Sequence, residues 1–90
     1  MLKAHILVQG LVQGVGFRWF VRMEAERIGL TGTVKNLNNG SVEIWTEGKK
    51  EEIEALVTRL QAGNGSSMID NKSIQWLNCE HQWSDFSILL

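Results

Sequence analysis

The hydrophobic pattern of this chain changes its period several times, and these changes limit the folds that the chain can adopt. In the first segment, apolar residues alternate with other residues, at Leu2, Ala4, Ile6 and Val8. This period of two predicts a strand over residues 2–9 with one buried face. From Phe17 to Ile28 apolar residues recur every three or four positions instead, which predicts an amphipathic helix. Gly29 is well suited to end that helix.

A hairpin is predicted in the middle of the chain. Residues 31–36 and 41–47 both have the character of strands, and the segment between them is rich in asparagine. The pair Asn39-Gly40 accepts the positive φ angles of a tight turn. The second strand and the third strand should therefore be antiparallel neighbours.

The last part of the chain supplies one more helix and two more strands. Residues 51–60 have apolar side chains at helical spacing, with acidic residues in the first turn, where the helix dipole favours them. Residues 62–67 predict a flexible break, and residues 72–80 and 85–90 predict strands. The order β-α-β-β-α-β, followed by a short extra C-terminal strand, predicts an α+β fold. The expected architecture is a ferredoxin-like sandwich, an antiparallel sheet with two helices on one face, formed by a single domain over residues 1–90.

Composition and charge narrow the classes of function. Nine Lys and Arg against ten Asp and Glu give a net charge of −1, so no basic excess favours nucleic acid or a membrane surface as a partner. Cys79 is the only cysteine, which excludes an internal disulfide and fits a reducing compartment. The sequence shows neither a secretory signal nor an apolar run of membrane-spanning length. We expect a cytoplasmic monomer, although the oligomeric state is not encoded in any motif.

Three glycines separate the first strand from the first helix, in the segment GLVQGVGFR, residues 10–18. Glycine costs backbone entropy on folding, so this density requires a reason. The first N–H groups of a helix carry partial positive charge and have no partner within the helix. Gly14 and Gly16 would let a ligand approach such N–H groups closely, and Arg18 adds a planar guanidinium suited to two phosphate oxygens. We therefore predict a phosphate site, although a tight connection with a solvated arginine remains the alternative.

The predicted topology brings a second polar residue to this place. The first and second strands run parallel with the third strand between them, so their carboxyl ends share one sheet edge, roughly 10 Å apart. Gly10 closes the first strand and Asn36 closes the second. That gap would hold a phosphate-sized group and one water. Asn36 could alternatively belong to the turn-rich stretch that follows it.

Other motifs are incomplete. A nucleotide-binding P-loop would need a lysine and a hydroxyl residue that this segment lacks, and Trp19 occupies the third glycine position of a dinucleotide-binding pattern starting at Gly14. His5, His81 and Cys79 are scattered along the sequence, so no metal site is predicted. We expect His5 to be a solvated strand residue and Cys79 to be inert packing.

Two stretches resemble the signatures of the acylphosphatase family. The family pattern G-x-V-Q-G-V-x-F-R stands here as residues 10–18. The second signature is a glycine, an aromatic, a small apolar residue, a variable residue and asparagine, followed by G-x-V and a later glycine. Here it is GTVKNLNNGSVEIWTEG, residues 32–48, with Thr33 in place of the aromatic, which predicts looser packing beside the site. The segment 62–67 also lacks a proline that many relatives have.

The resemblance implies an enzyme that hydrolyses the carboxyl-phosphate bond of acyl phosphates to a carboxylate and inorganic phosphate, without a metal or other cofactor. It implies that Arg18 binds the phosphoryl oxygens and that Asn36 orients the attacking water. The backbone N–H groups that would complete the phosphate site are those of Gln13, Gly14, Val15, Gly16 and Phe17. Inorganic phosphate or a similar anion is then expected as product and inhibitor. Phosphoryl transfer needs positioning and charge stabilisation more than covalent help, which fits a site without a catalytic His or carboxylate pair.

Two other classes of function are kept as alternatives. A binding module of the same fold would bind phosphate without turnover, and such domains also occur within larger carbamoyl-processing maturation proteins. An RNA-binding ferredoxin-like domain would stack bases on sheet aromatics, but the third strand offers only Trp45. Trp19, Trp76 and Trp83 are interpreted as packing or surface aromatics. No pocket specific for an acyl group is apparent in the sequence.

Overall fold

The computed structural model describes residues 1–78 and 80–90, so the prediction for Cys79 lies outside the described residues. Two helices and five strands follow the predicted order. They are β1 (Leu2–Leu11), α1 (Phe17–Ile28), β2 (Thr31–Asn36), β3 (Val42–Gly48), α2 (Lys50–Ala62), β4 (Met68–Asn78) and β5 (Phe86–Leu89). The bounds predicted for α1 and β2 are confirmed. Among the described residues, no helix has the length and apolar character needed to cross a membrane.

The sheet has the strand order β4-β1-β3-β2-β5. β3 lies between β1 and β2 and is antiparallel to both, so β1 and β2 run parallel to each other as predicted. The ferredoxin-like fold is therefore confirmed. The terminal strand β5 pairs with β2 in parallel, so the sheet is antiparallel across four strands and mixed overall. Between β4 and β5, residues 80–85 lie over the open face of the sheet, where the Gln82 backbone N–H donates to the Glu47 carboxylate at 2.8 Å.

One face of the sheet packs against both helices and forms the core. Alternate residues of β1, β2 and β3 are buried there, which is the pattern that a period of two predicts. The buried apolar residues of these strands and of the helices are Ala4, Ile6, Val8, Phe17, Val21, Ala25, Val34, Val42, Ile44, Ile53, Leu56, Val57 and Leu60. Burial of a large aliphatic or aromatic side chain contributes about 1.5–3 kcal/mol. The core therefore fixes the positions at which β1 and β2 end and α1 begins.

The edge strand β4 and its neighbour β1 are both longer than predicted. Beyond a register shift at Gln9/Gly10, β1 continues to Leu11, which pairs with Met68 at the start of β4. β4 begins before residue 72 and contains no fully buried residue, because it lies at the edge of the sheet. An exposed edge strand does not show the alternation from which strands are predicted. The remaining bounds differ from the predictions by at most two residues.

His5 lies on the open face of the sheet, as the alternation predicts, but it is not simply solvated. Its ring stacks on Trp45 with a centroid distance of 4.1 Å, and its Nε2 is 2.9 Å from the Glu43 carboxylate. His5 and Trp45 are direct cross-strand neighbours, so their side chains must meet. On this face His81 pairs with the buried carboxylate of Glu47.

Candidate active site

A cleft of about 200 Å³ opens at the sheet edge where β1 and β2 end and α1 begins. The residues that line it are Val12, Gly14, Gly16, Phe17, Arg18, Trp19, Asn36 and Ile88. The structure thus brings Arg18 and Asn36 into one cleft, together with part of the glycine-rich loop. The arrangement follows from the strand order. β1 and β2 run parallel with only β3 between them, so both end at the same edge of the sheet.

The loop ahead of α1 depends on two left-handed glycines. Gly14 has φ +74° and Gly16 has φ +75°, values that residues with a side chain rarely adopt. Gly16 is the N-cap of α1, and among the described residues no side chain caps this helix and no acid lies in its first turn. The first N–H groups of α1 are therefore left to bind a ligand, and their partial positive charge favours an anion.

Gln13 connects this loop to the turn after β2. Its Nε2 donates to the carbonyl oxygens of Leu37 at 2.8 Å and Ser41 at 2.9 Å. Leu37 follows Asn36 directly, so the two hydrogen bonds fix the loop relative to Asn36. The side chain of Gln13 does not line the cleft. Its structural role was not predicted, because it depends on a contact between segments far apart in sequence.

Asn64 holds the same loop from the other side. Its Nδ2 donates to the Val15 carbonyl at 2.9 Å, while its Oδ1 accepts the backbone N–H groups of Ser66 at 3.0 Å and Ser67 at 2.9 Å. The segment 62–67 was predicted as a flexible break, and the structure shows a hydrogen-bonded turn instead. The signal for this lies in the sequence Asn-Gly-Ser-Ser, since asparagine side chains commonly bond backbone groups two residues on.

Arg18 is held in the cleft by the terminal strand. Its Nη1 donates to the Leu89 carbonyl at 3.1 Å. A guanidinium has five N–H donors, so this bond leaves most of them for a ligand. Among the ion pairs formed by the described residues, none includes Arg18. The positive charge of Arg18 is therefore not neutralised by a neighbouring carboxylate.

Asn36 is the last residue of β2, and its side chain faces the same cleft. Within the part of the chain that the structure describes, Asn36 Oδ1 is the one buried side-chain nitrogen or oxygen without a hydrogen-bond partner. An unsatisfied buried acceptor costs about 1–3 kcal/mol. Its exposed surface is below 1 Å², so a water or a ligand donor in the cleft can satisfy it only after the side chain turns toward the cleft.

Thr33 does not touch this site. It is aligned with Trp45 on β3 and Ser87 on β5 and faces the open side of the sheet, whereas Val34 beside it is buried in the core. Asn36 lies on the core side with Val34. The looser packing predicted beside the site is therefore not located at the cleft, because successive strand residues point to opposite faces.

Three lining residues, Val12, Trp19 and Ile88, are not among the predicted site residues. Trp19 was interpreted as a surface or packing aromatic, yet it forms part of the cleft wall, directly after Arg18 on α1. Ile88 reaches the cleft only because β5 pairs with β2, and no local signal predicts that pairing. Among the described residues, no group of three or more His, Cys, Asp or Glu is placed to hold a metal ion.

The ferredoxin-like fold and the helix N-terminus that opens into its cleft define an α+β protein whose cleft suits an anion. Comparison with known proteins gives the family. A family model described as Acylphosphatase matches residues 4–88. An acylphosphatase of Caldanaerobacter subterraneus subsp. tengcongensis is 39% identical over 84 residues, which is 93% of each chain. The crystal structure of acylphosphatase from Bacillus subtilis is 39% identical, with a TM-score of 0.95 over 100% of both chains. The chain belongs to the acylphosphatase family, as its two signatures predicted.

A similar unit occurs inside a much longer protein. The crystal structure of T. kodakarensis HypF is 37% identical and matches 99% of this chain with a TM-score of 0.86, but only 12% of its own length is covered. The fold therefore occurs both as a short chain and as part of a large one.

Proposed function

We propose that this protein is an acylphosphatase that hydrolyses small acyl phosphates to a carboxylate and inorganic phosphate. Membership of the family supports this activity. The observation that carries the proposal is the shared cleft, in which Arg18 and a helix N-terminus lie with an asparagine oxygen that has no hydrogen-bond partner among the described residues. The first two groups suit an anion, and the third suits a water molecule beside it.

In the proposed binding step, Arg18 and the backbone N–H groups of residues 13–17 hold the phosphoryl oxygens. Gly14, Gly16 and Phe17 line the cleft, and the hydrogen bond to Leu89 sets the direction of the guanidinium. Each hydrogen bond that involves a charged group contributes about 1.5–3 kcal/mol. Several such bonds can hold the substrate without a large pocket.

In the proposed chemical step, the Asn36 side chain turns into the cleft, and its Oδ1 accepts an O–H of the attacking water and directs the lone pair of that water at phosphorus. The new bond joins the water oxygen to phosphorus, and the bond between phosphorus and the acyl oxygen breaks. Its electron pair leaves with the carboxylate, and the proton of the water passes to phosphate and solvent. A carboxylate is a weak base, so the leaving group needs no strong general acid. The loose transition state of phosphoryl transfer is served by positioning and positive charge.

Independence from metal ions is part of this proposal. Arg18 and the backbone amides supply positive charge where negative charge is located on the transferred group. We further propose that residues 1–90 act as one domain, as a cytoplasmic monomer, with inorganic phosphate as a competitive inhibitor. Phosphate presents the same oxygens as the group transferred. Sedimentation velocity at assay concentrations tests the monomer.

The direct test is phosphate release from acetyl phosphate, with and without EDTA. Arg22→Ala is the matched control for Arg18→Ala, because Arg22 lies one turn further along α1 and pairs with Glu26 at 3.5 Å, outside the cleft. We expect the wild type and Arg22→Ala to turn over equally in both conditions. Arg18→Ala should lose at least about 100-fold, the scale for removal of one transition-state donor.

Each part of the proposal has its own contrary result. Loss of wild-type turnover in EDTA would contradict metal independence. Normal turnover by Arg18→Ala would contradict the site. A wild type that binds inorganic phosphate but does not hydrolyse acetyl phosphate would contradict the enzymatic activity and indicate a binding module.

A further inference from the structure

Asn64, in the turn after α2, contacts the loop ahead of α1 through one backbone group. Its Nδ2 donates to the Val15 carbonyl at 2.9 Å, between residues 49 positions apart in sequence. Asn64 is not among the residues that line the cleft, and the proposed reaction gives it no role. Any effect of Asn64 on a bound ligand must therefore pass through the peptide that begins at the Val15 carbonyl.

The direction of the Asn64 carboxamide is set by the turn in which it lies. Its Oδ1 accepts two backbone N–H groups of the same turn, at 3.0 and 2.9 Å. An amide oxygen cannot donate, so the amide nitrogen is the atom that faces Val15. At the start of the turn the Gly63 N–H donates to the Leu60 carbonyl at 3.1 Å, and the Leu60 side chain is buried in the core. The donor is therefore held in a fixed place relative to the core.

The hydrogen bond to the Val15 carbonyl also sets the direction of the next N–H group. The carbonyl and the N–H of one trans peptide point in opposite directions. Because the Val15 carbonyl points to Asn64, the Gly16 N–H points away from Asn64. Gly16 lines the cleft, whereas the Val15 side chain packs against the core, and no carbonyl of the described residues accepts the Gly16 N–H. The bond from Asn64 thus leaves this N–H for a ligand in the cleft.

The peptide between Val15 and Gly16 needs such a restraint. Reversal of its direction changes ψ of Val15 and φ of Gly16, and glycine accepts φ values of either sign. After reversal the Val15 carbonyl would face the cleft in place of the Gly16 N–H, and its oxygen would repel phosphoryl oxygens. A donor outside the cleft, bonded to that carbonyl, opposes the reversal.

We propose that Asn64 is a positioning residue, which holds the Val15–Gly16 peptide in the direction that lets the Gly16 N–H bind a phosphoryl oxygen. This inference rests on the proposed function and adds to it a residue outside the cleft. Asn64 contacts neither the substrate nor the reacting atoms, and it acts through one peptide. Loss of its donor weakens the binding of phosphate while Arg18 stays in place.

The test follows the amide proton resonances of Gly16 and Phe17 by NMR as inorganic phosphate is added to saturation. In the wild type both resonances should move downfield, since each N–H bonds phosphate. In Asn64→Ser the movement of Gly16 should be lost, while that of Phe17 persists because α1 fixes its N–H. Serine is neutral and still accepts backbone N–H groups of the turn, but it is too short to reach the Val15 carbonyl.

The inhibition constant of phosphate against acetyl phosphate gives a second readout. It should rise roughly tenfold in Asn64→Ser, the scale of one hydrogen bond to a charged group. Ser67→Ala is the matched control. Ser67 Oγ accepts the Asn64 backbone N–H at 3.3 Å, so its removal loosens the turn and leaves the bond to Val15 in place. This variant should keep the wild-type inhibition constant and the wild-type movement of Gly16.

The outcomes separate this inference from the proposed function. A wild type in which phosphate neither inhibits nor moves the two resonances contradicts the phosphate site, and with it the proposed function. A responsive wild type with the same Gly16 movement in Asn64→Ser contradicts the positioning role alone, as does loss of that movement in Ser67→Ala. If Asn64→Ser is unfolded, Asn64→Asp keeps an acceptor for the turn and lacks the donor, and an unchanged Gly16 movement in it overturns the proposal.

Discussion

Asn36 combines a buried acceptor with a position in the cleft. A structural asparagine at the end of a strand usually satisfies its oxygen with a backbone N–H of the following turn. Here that role falls to Asn39, whose Oδ1 accepts the Ser41 N–H at 3.0 Å. The oxygen of Asn36 thus has no hydrogen-bond partner among the described residues, as its proposed role in holding the attacking water requires.

Replacement of Asn36 by alanine should separate catalysis from binding. We expect kcat for acetyl phosphate to fall by about 100-fold, the scale for misplacing a reacting group. Inhibition by inorganic phosphate should persist, since Arg18 and the loop remain. The free energy of unfolding, measured in urea, should not fall, because Oδ1 makes no hydrogen bond within the described protein and its removal relieves an unsatisfied buried acceptor.

Asn71→Ala is the control for this variant. Asn71 is exposed on β4, and its side chain donates to Gln9 at 3.3 Å, away from the cleft, so its loss should alter neither kcat nor phosphate inhibition. Weakened phosphate inhibition with a normal kcat in Asn36→Ala would mean that Asn36 binds phosphate rather than water.

Single residues differ in how far the sequence predicts them. Gly14, Gly16 and Arg18 lie in one short segment, so their site could be predicted from neighbouring residues alone. The position of Asn36 could be predicted from the strand order. Trp19 is adjacent to Arg18 in sequence, but the cleft that it lines is completed by Ile88 of β5, whose position is set by non-local pairing. The bond from Arg18 to the Leu89 carbonyl could not be predicted for the same reason.

The loop between β1 and α1 is held by side chains from the loop itself and from another element. Gln13 reaches to the β2–β3 turn, and Asn64 reaches back from the turn after α2. A glycine-rich loop without such bonds would lose part of its preorganisation, because its backbone has more conformations to give up on binding.

Gln13→Ala should loosen the loop and the turn after β2 together. The variant removes two hydrogen bonds, to the carbonyls of Leu37 and Ser41, although each carbonyl keeps a backbone N–H donor, that of Gly40 and of Leu37 respectively. We expect the free energy of unfolding to fall by about 1–3 kcal/mol and kcat to fall with it. The fall in kcat should be smaller in the Asn36→Ala background, since residues that act on one step are not additive.

Gln9→Ala provides the comparison for Gln13→Ala. Gln9 is exposed and accepts one long hydrogen bond from Asn71, so its removal should be nearly neutral in urea unfolding and in turnover. Equal, additive effects of Gln13→Ala in the wild-type and Asn36→Ala backgrounds would contradict the coupling.

Elements were predictable where their signals are local. α1 is bounded by Gly16 and Gly29, both in the left-handed conformation, and its predicted bounds are those observed. β4 and β5 lie at the two edges of the sheet, where exposed residues carry little periodicity. Their pairing partners, and the parallel direction of β5, depend on the whole sheet.

At the scale of the whole molecule, one core connects the site to global stability. β1, β2, β5 and α1 all contribute buried residues to that core, and the cleft lies where these elements meet. The net charge is −1, so attraction of an anion must come from this site rather than from the overall charge. A phosphate bound there should stabilise the folded state as a whole, because the unfolded chain has no such site.

The measurement that tests this most directly is thermal unfolding in increasing inorganic phosphate at constant ionic strength. The melting temperatures of the wild type and Arg22→Ala should rise together, with about 2.7 kcal/mol of stabilisation at a phosphate concentration 100 times Kd. Arg18→Ala should show no comparable rise at the same concentrations. A rise in Arg18→Ala equal to that of the wild type, or no rise in the wild type, would contradict a phosphate site built on Arg18.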